Sequence, residues 1–119
     1  MKIVRQDIDG ATPNTSAIMV GEVVSQNLVA EGDAPSLRVT AVTFRDGAFN
    51  KWHSHSTEQV LIVTHGNGIV ATGQEERPIV PGDVVLIPAN ERHWHGAAPG
   101  ATMTHLAILL PGEMTIHDE

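Results

Sequence analysis

No cysteine occurs in this 119-residue chain, which excludes disulfides, thiolate metal ligands and a cysteine nucleophile together. Any bound metal must be held by imidazole, carboxylate or amide groups. Aromatic residues make up only 3%, and seven Lys plus Arg stand against fourteen Asp plus Glu, for a formal charge of -7. Nucleic-acid binding draws on a basic face that displaces counterions and on aromatic platforms for bases, so no nucleic-acid partner is expected. The acidic surface equally disfavours anionic lipid, and no apolar run approaches a membrane span. The first ten residues, MKIVRQDIDG, lack the apolar stretch of a signal peptide, which predicts a cytoplasmic protein. Helix signals are nearly absent: no window keeps apolar residues at helical spacing for three turns without a Gly or Pro.

Short apolar and β-branched runs are present instead, at Ala17 to Val24, Leu37 to Phe44, Gln59 to Val63, Gly68 to Ala71, Pro78 to Val80, Val84 to Ile87, His93 to Ala97 and Met103 to Leu110. Turn residues separate them, among them Asp46-Gly47, Gly66-Asn67-Gly68, Pro81-Gly82-Asp83 and Pro88-Ala89-Asn90. Strands at this spacing predict an all-β sandwich or barrel in one domain, 1–119, with its core at about 37–110 and an N-terminal arm or strands at 1–36. Asn67-Gly68 suits a tight hairpin. For the first fifteen residues the pattern leaves open a loosely attached arm and a strand exchanged at a dimer interface.

The stretch Gly47 to Gly66, GAFNKWHSHSTEQVLIVTHG, holds the strongest chemical signal. Side chains alternate along an extended chain, so the odd-numbered His53, His55 and Gln59 can share one face. A second cluster, His93-Trp94-His95, follows another apolar run, and His105 lies inside a third. Histidines on facing strands suit a transition-metal site, whereas a lone HxH is more often a polar strand face. Shared parity within both clusters favours the metal reading. His65 and His117 read as ordinary exposed residues, Trp52 as a core residue, and Trp94, of opposite parity to its neighbours, as packing in another layer or at a subunit contact. Asp83 most simply serves its turn, and Arg92 and Lys51 read as solvated.

Gly47, His53, His55, Gln59 and Gly66, followed by Gly82, Pro88 and His93, resemble the two motifs of the cupin superfamily over roughly Leu37 to Leu110. That resemblance implies a small jelly-roll barrel (double-stranded β-helix) with a metal in its mouth, usually in a homodimer or homotetramer. Many cupins have Glu where Gln59 stands, and Glu58 has the wrong parity, so Gln59 is taken as the fourth donor. Asn90 replaces a glycine often found in the second motif and predicts a left-handed backbone. The run from Gln59 to Val63 and HWHGAAPGATMTHLAI from His93 to Ile108 are similar to small bacterial cupins with manganese-dependent hydroxynitrile lyase activity. Carried over, this assigns His53, His55, Gln59 and His93 to the metal, places His95 and His105 in the cavity as candidate catalytic groups, and puts Thr40 and Val42 in the substrate pocket.

Three neutral imidazoles and a neutral amide leave the full +2 charge of a divalent ion on the site, a Lewis-acidic centre able to stabilise alkoxide character. Resemblance favours manganese or iron; nickel, cobalt and zinc suit the same donors. An imidazole with a pKa near neutrality, on His95 or His105, is the candidate base for a substrate hydroxyl. The expected function is a lyase of small cyanohydrins. Its rivals are a metal-dependent dioxygenase and a non-catalytic module that binds a sugar or another small molecule.

Overall fold

Runs rich in β-branched residues and bounded by turns become strands, and the computed structural model, which describes residues 1–117, has no helix among them. In chain order the strands are β1 (Thr12–Pro13), β2 (Met19–Val20), β3 (Val23–Val29), β4 (Arg38–Phe44), β5 (Phe49–Asn50), β6 (His53–His55), β7 (Gln59–Gly66), β8 (Gly68–Thr72), β9 (Glu76–Ile79), β10 (Val84–Ile87), β11 (His93–Ala97), β12 (Met103–Leu109) and β13 (Met114–Ile116). One sheet runs β1-β3-β4-β12-β7-β10. The other runs β13-β6-β11-β5-β2, with β8 also on β11 and β9 on β8. Every pairing is antiparallel, and the two curled sheets form a jelly-roll barrel.

Inward-facing residues of both sheets build the core: Val23, Val42, Phe44 and Val63 from the first meet Ile79 and Ala97 from the second, closed by Ala48 and Met103. Along β7 the alternation is plain, with Gln59, Leu61 and Val63 buried and Val60, Ile62 and Thr64 half-buried between them. Phe44, fully buried, packs its ring 5.9 Å from that of His95 and 5.4 Å from that of His105, so the apolar core forms the floor of the histidine cluster.

Two expectations change here. Gly66-Asn67-Gly68 is not a hairpin: β7 pairs with β10 and β12, β8 with β9 and β11, so this turn carries the chain from one sheet to the other. Gly66 has φ of +76°, and a Cβ there would collide with the carbonyl oxygen of Thr102, so both backbone conformation and space demand glycine. The N-terminal arm is tied to its own barrel. Asp7 N–H donates to Gln26 Oε1 at 2.8 Å, Gln26 Nε2 donates to the Arg5 carbonyl at 3.0 Å, and Lys2 pairs with Asp33. Gln6 reaches Thr64 on β7, so the arm spans from β3 to β7, across β4 and β12. Asn90 has φ of +67°, as its place in the second motif requires, and Asp83 Oδ2 accepts from Val80 N–H within its turn.

Candidate metal centre

Pairing of β6 with β11 sets His53 opposite His93, and their rings lie 4.3 Å apart. His55 is two residues along β6, so three imidazoles converge with one ligand-type nitrogen each, all within 4.8 Å of one another. Hydrogen bonds fix the rings: His53 Nδ1–H donates to the Lys51 carbonyl at 2.7 Å and His93 Nδ1–H to the Glu91 carbonyl at 2.8 Å. A carbonyl only accepts, so both rings carry hydrogen on Nδ1 and present the Nε2 lone pair, the outer-partner arrangement common to metal-ligating histidines. His93 Nε2 is buried with no hydrogen-bond partner.

Burial drives the electrostatics. His53 is lowered from 6.5 to about 4 by desolvation first and the neighbouring His93 second, against the Lys51 carbonyl. His55 is lowered to about 4 by desolvation and then by His53, and His93 to about 4 by desolvation against the Glu91 carbonyl. All three are therefore neutral near pH 7, the protonation state a metal ligand needs.

Gln59 is buried, and its Oε1 has no hydrogen-bond partner, while Glu58 is exposed. Shared parity with the histidines is not what turns Gln59 inward. The chain turns at Ser56–Glu58, and Gln59 lies on β7 in the other sheet from β6, so no single extended face joins it to His53 and His55. It points inward because the inner faces of the two sheets oppose each other. Two orphaned buried acceptors, Gln59 Oε1 and His93 Nε2, together with three converging neutral imidazoles, fit a divalent transition metal.

Behind the triad lies a second cluster. His95 on β11 is stacked 5.6 Å from His93, and His105 on β12 reaches it from the opposite sheet, Nε2 to His95 Nδ1 at 2.9 Å. Both are buried. Burial holds His95 well below 6.5, with His105 the next cause, and lowers His105 to about 4 against its own backbone carbonyl. The expected pKa near neutrality is thus corrected downward, because neither ring has the solvent or counter-charge that would stabilise its cation. Asn50, also buried, bonds both the backbone and the ring of His95. Sequence parity gave no signal for it, since β5 and β6 are separate strands broken at Lys51-Trp52.

A cavity of about 420 Å³ opens beside His55, with Arg38, Leu109 and Met114 in its wall. Thr40 and Val42 are on the inner side of β4 but not in that wall: Val42 packs in the core, and Thr40, half-buried, hydrogen-bonds Asn27. Trp52 is not a core residue. It is half-buried with the Arg92 guanidinium 4.0 Å over its ring, so Arg92 is more than solvated. Trp94 packs on Phe49, away from the histidines. His117 is half-buried and bonds Ser54 Oγ at 2.9 Å, contrary to the expectation of free exposure, whereas His65 is exposed.

A family model described as Cupin domain matches residues 40–116. A protein named (R)-mandelonitrile lyase from Granulicella tundricola is 52% identical over 69 residues, 57% of this chain and 53% of that protein, so the match spans about half of the curated relative. Among solved structures, a cupin-like protein from Thermotoga maritima is 36% identical, with 96% of this chain and 92% of that one covered at a TM-score of 0.84. The polyketide cyclase RemF from Streptomyces resistomycificus, 17% identical with 99% and 89% covered at a TM-score of 0.80, shares the fold.

Proposed function

The chain belongs to the cupin family, and from that premise we propose that it is a metal-dependent lyase that splits small cyanohydrins into aldehyde and cyanide, and forms them in reverse. The observation that carries this reading is the placement of the buried His95–His105 pair directly behind the His53, His55, His93 triad. The 52% identity over 69 residues to a protein named (R)-mandelonitrile lyase supports the choice of reaction.

His53, His55, Gln59 and His93 are the residues that would hold the ion, with manganese the first choice. A divalent ion held by four neutral donors supplies Lewis acidity toward negative charge developing on the substrate oxygen. The chain's own residues do the rest. The cavity beside His55 admits a small substrate, with Leu109 and Met114 offering apolar contact. Phe44 and the core beneath keep water from the back of the site. His95 or His105 takes the hydroxyl proton; as the O–H bond breaks, the carbonyl forms and the electron pair of the carbon–carbon bond leaves with cyanide, which regains the proton.

The test is turnover of mandelonitrile by untagged protein of known metal content, with and without a chelator, while dissolved oxygen is followed. Metal-dependent release of benzaldehyde at constant oxygen supports the lyase. Oxygen consumption without cyanohydrin turnover would replace it with a dioxygenase.

A further inference from the structure

The His95–His105 pair has four ring nitrogens, and it can accept a proton at a defined atom only if its hydrogens are placed one way rather than another. Asn50, on β5, is 2% exposed. Its Oδ1 accepts from the His95 backbone N–H at 2.9 Å, and its Nδ2 lies 3.3 Å from Nε2 and 3.4 Å from Nδ1 of the same ring. The first bond settles which way the amide faces, because a backbone N–H can only donate, and the NH2 group is left toward the ring. An amide NH2 also only donates. The ring nitrogen it meets must therefore offer a lone pair, and Nδ1 is already engaged, more tightly, with His105 Nε2 at 2.9 Å.

We infer that Asn50 is a positioning residue that sets the tautomer and orientation of His95: its NH2 holds the Nε2 lone pair, the accepting atom of the pair, and Nδ1–H is directed at Nε2 of His105. Gly96 makes the contact possible. A Cβ at that position would lie 2.5 Å from Cα and Cβ of Phe49, so β5 rests directly on β11 and brings Asn50 down onto His95. In the opposite tautomer the Asn50 NH2 would face an N–H, two donors against each other in a buried site, where an unmade hydrogen bond is costly.

The catalytic consequence rests on the lyase reading; the tautomer does not. Once the substrate hydroxyl has taken the place of the Asn50 NH2 at His95 Nε2, its proton enters there, and the Nδ1 proton can pass to His105 Nε2, so that one added proton is shared by the pair until cyanide takes it back along the same path. Asn50 touches neither substrate nor ion in this scheme and acts only through His95.

Ring-nitrogen NMR on the metal-free protein at mildly alkaline pH reads the tautomer directly. Wild type should show His95 with hydrogen on Nδ1, and Asn50→Asp, which turns an acceptor toward the ring, should move it to Nε2. Asn50→Ala, kept as a second variant in case the buried carboxylate prevents folding, should leave a mixture of both forms. At equal metal occupancy both variants should lose kcat by about 10²-fold with KM little changed, since the base is mispresented while the substrate is held as before. Hydrogen on Nε2 of His95 in wild type, or an unchanged tautomer in both variants, overturns the inference. If the tautomers behave as stated and wild type turns over no cyanohydrin, the positioning role stands and the lyase reading falls.

Discussion

His53 and His93 are matched across β6 and β11: they are register partners with rings 4.3 Å apart, and each donates Nδ1–H to the carbonyl of the residue two before it. The repeated local bond gives both rings the same tautomer, so their Nε2 atoms form a preset pair of donors. Replacing either by Ala should lower metal content and metal-dependent stability together. Excess metal at a hundredfold its dissociation constant should stabilise wild type by about 2.7 kcal/mol, and the variants by much less. Elemental analysis beside thermal unfolding with and without metal checks this, and full stoichiometry in both variants would count against the site.

Gln59 opens β7 and Glu58 ends the turn before it, one buried with an orphaned Oε1 and the other exposed. Gln59→Ala should weaken metal binding by at least about 10-fold, the lower end of what losing even an outer partner costs, and Glu58→Ala should leave it alone. Titration of metal into apo-protein separates the two. A metal-loaded structure with Glu58 coordinating and Gln59 turned away would sink the assignment.

The lowered histidines give the metal-free protein a defined pH response. His53 and His93 move from 6.5 in the unfolded chain to about 4 in the folded one, so between those values the unfolded state binds protons that the folded state refuses. Stability is present above pH 6.5 and is lost on acidification toward pH 4, at about 1.4 kcal/mol per pH unit for each such histidine. Urea unfolding of apo-protein at neutral pH and at about pH 5 should show the midpoint falling, and added metal should oppose the fall. An unchanged midpoint would mean that these two rings are not held neutral by burial.

Much of this was legible because the signals were local. The pair His53, His55 and the run at β11 carried period-two parity, Gln59 stood in the motif although the turn at Ser56–Glu58 breaks its parity with them, and β4, β7, β10, β11 and β12 appeared as apolar runs between turn residues. What was lost depended on which sheet each strand joins. Asn67-Gly68 has hairpin chemistry, yet the close approach of Gly66 to Thr102 makes it a crossing between sheets. Asn50 could not be found by parity, because a break at Lys51-Trp52 resets the alternation, and its partner lies 45 residues away. The lowered pKa of His105 likewise follows from burial between sheets, which a single strand's pattern does not encode.

On β10, an edge strand, Val84 and Leu86 are 66% and 65% exposed. Register aligns them with Ile62 and Val60 on β7, and these with Leu106 and Ile108 on β12, giving an apolar band across the outside of the six-stranded sheet. A band of this kind on an exposed sheet edge calls for cover, and a second copy of the chain is the proposed cover. Sedimentation should find a dimer at micromolar concentration, and Leu86→Lys should shift it toward monomer. A wild-type monomer under those conditions refutes the idea.

Catalysis should divide the five buried or half-buried histidines of the site into two groups. His95→Ala and His105→Ala should retain metal, because neither belongs to the converging triad, and the one that serves as base should slow cyanohydrin turnover by roughly 10²–10⁴-fold. The pH profile carries further information. A base works only unprotonated, and burial holds His95 well below 6.5 and His105 at about 4, so wild-type activity should stay level as pH falls through 6.5 and decline only on further acidification. Steady-state rates at equal metal occupancy across that range check both points. An inflection at the ordinary histidine value would assign the base to an exposed ring instead, and turnover unimpaired in both variants would remove the histidine base while leaving the metal centre in place.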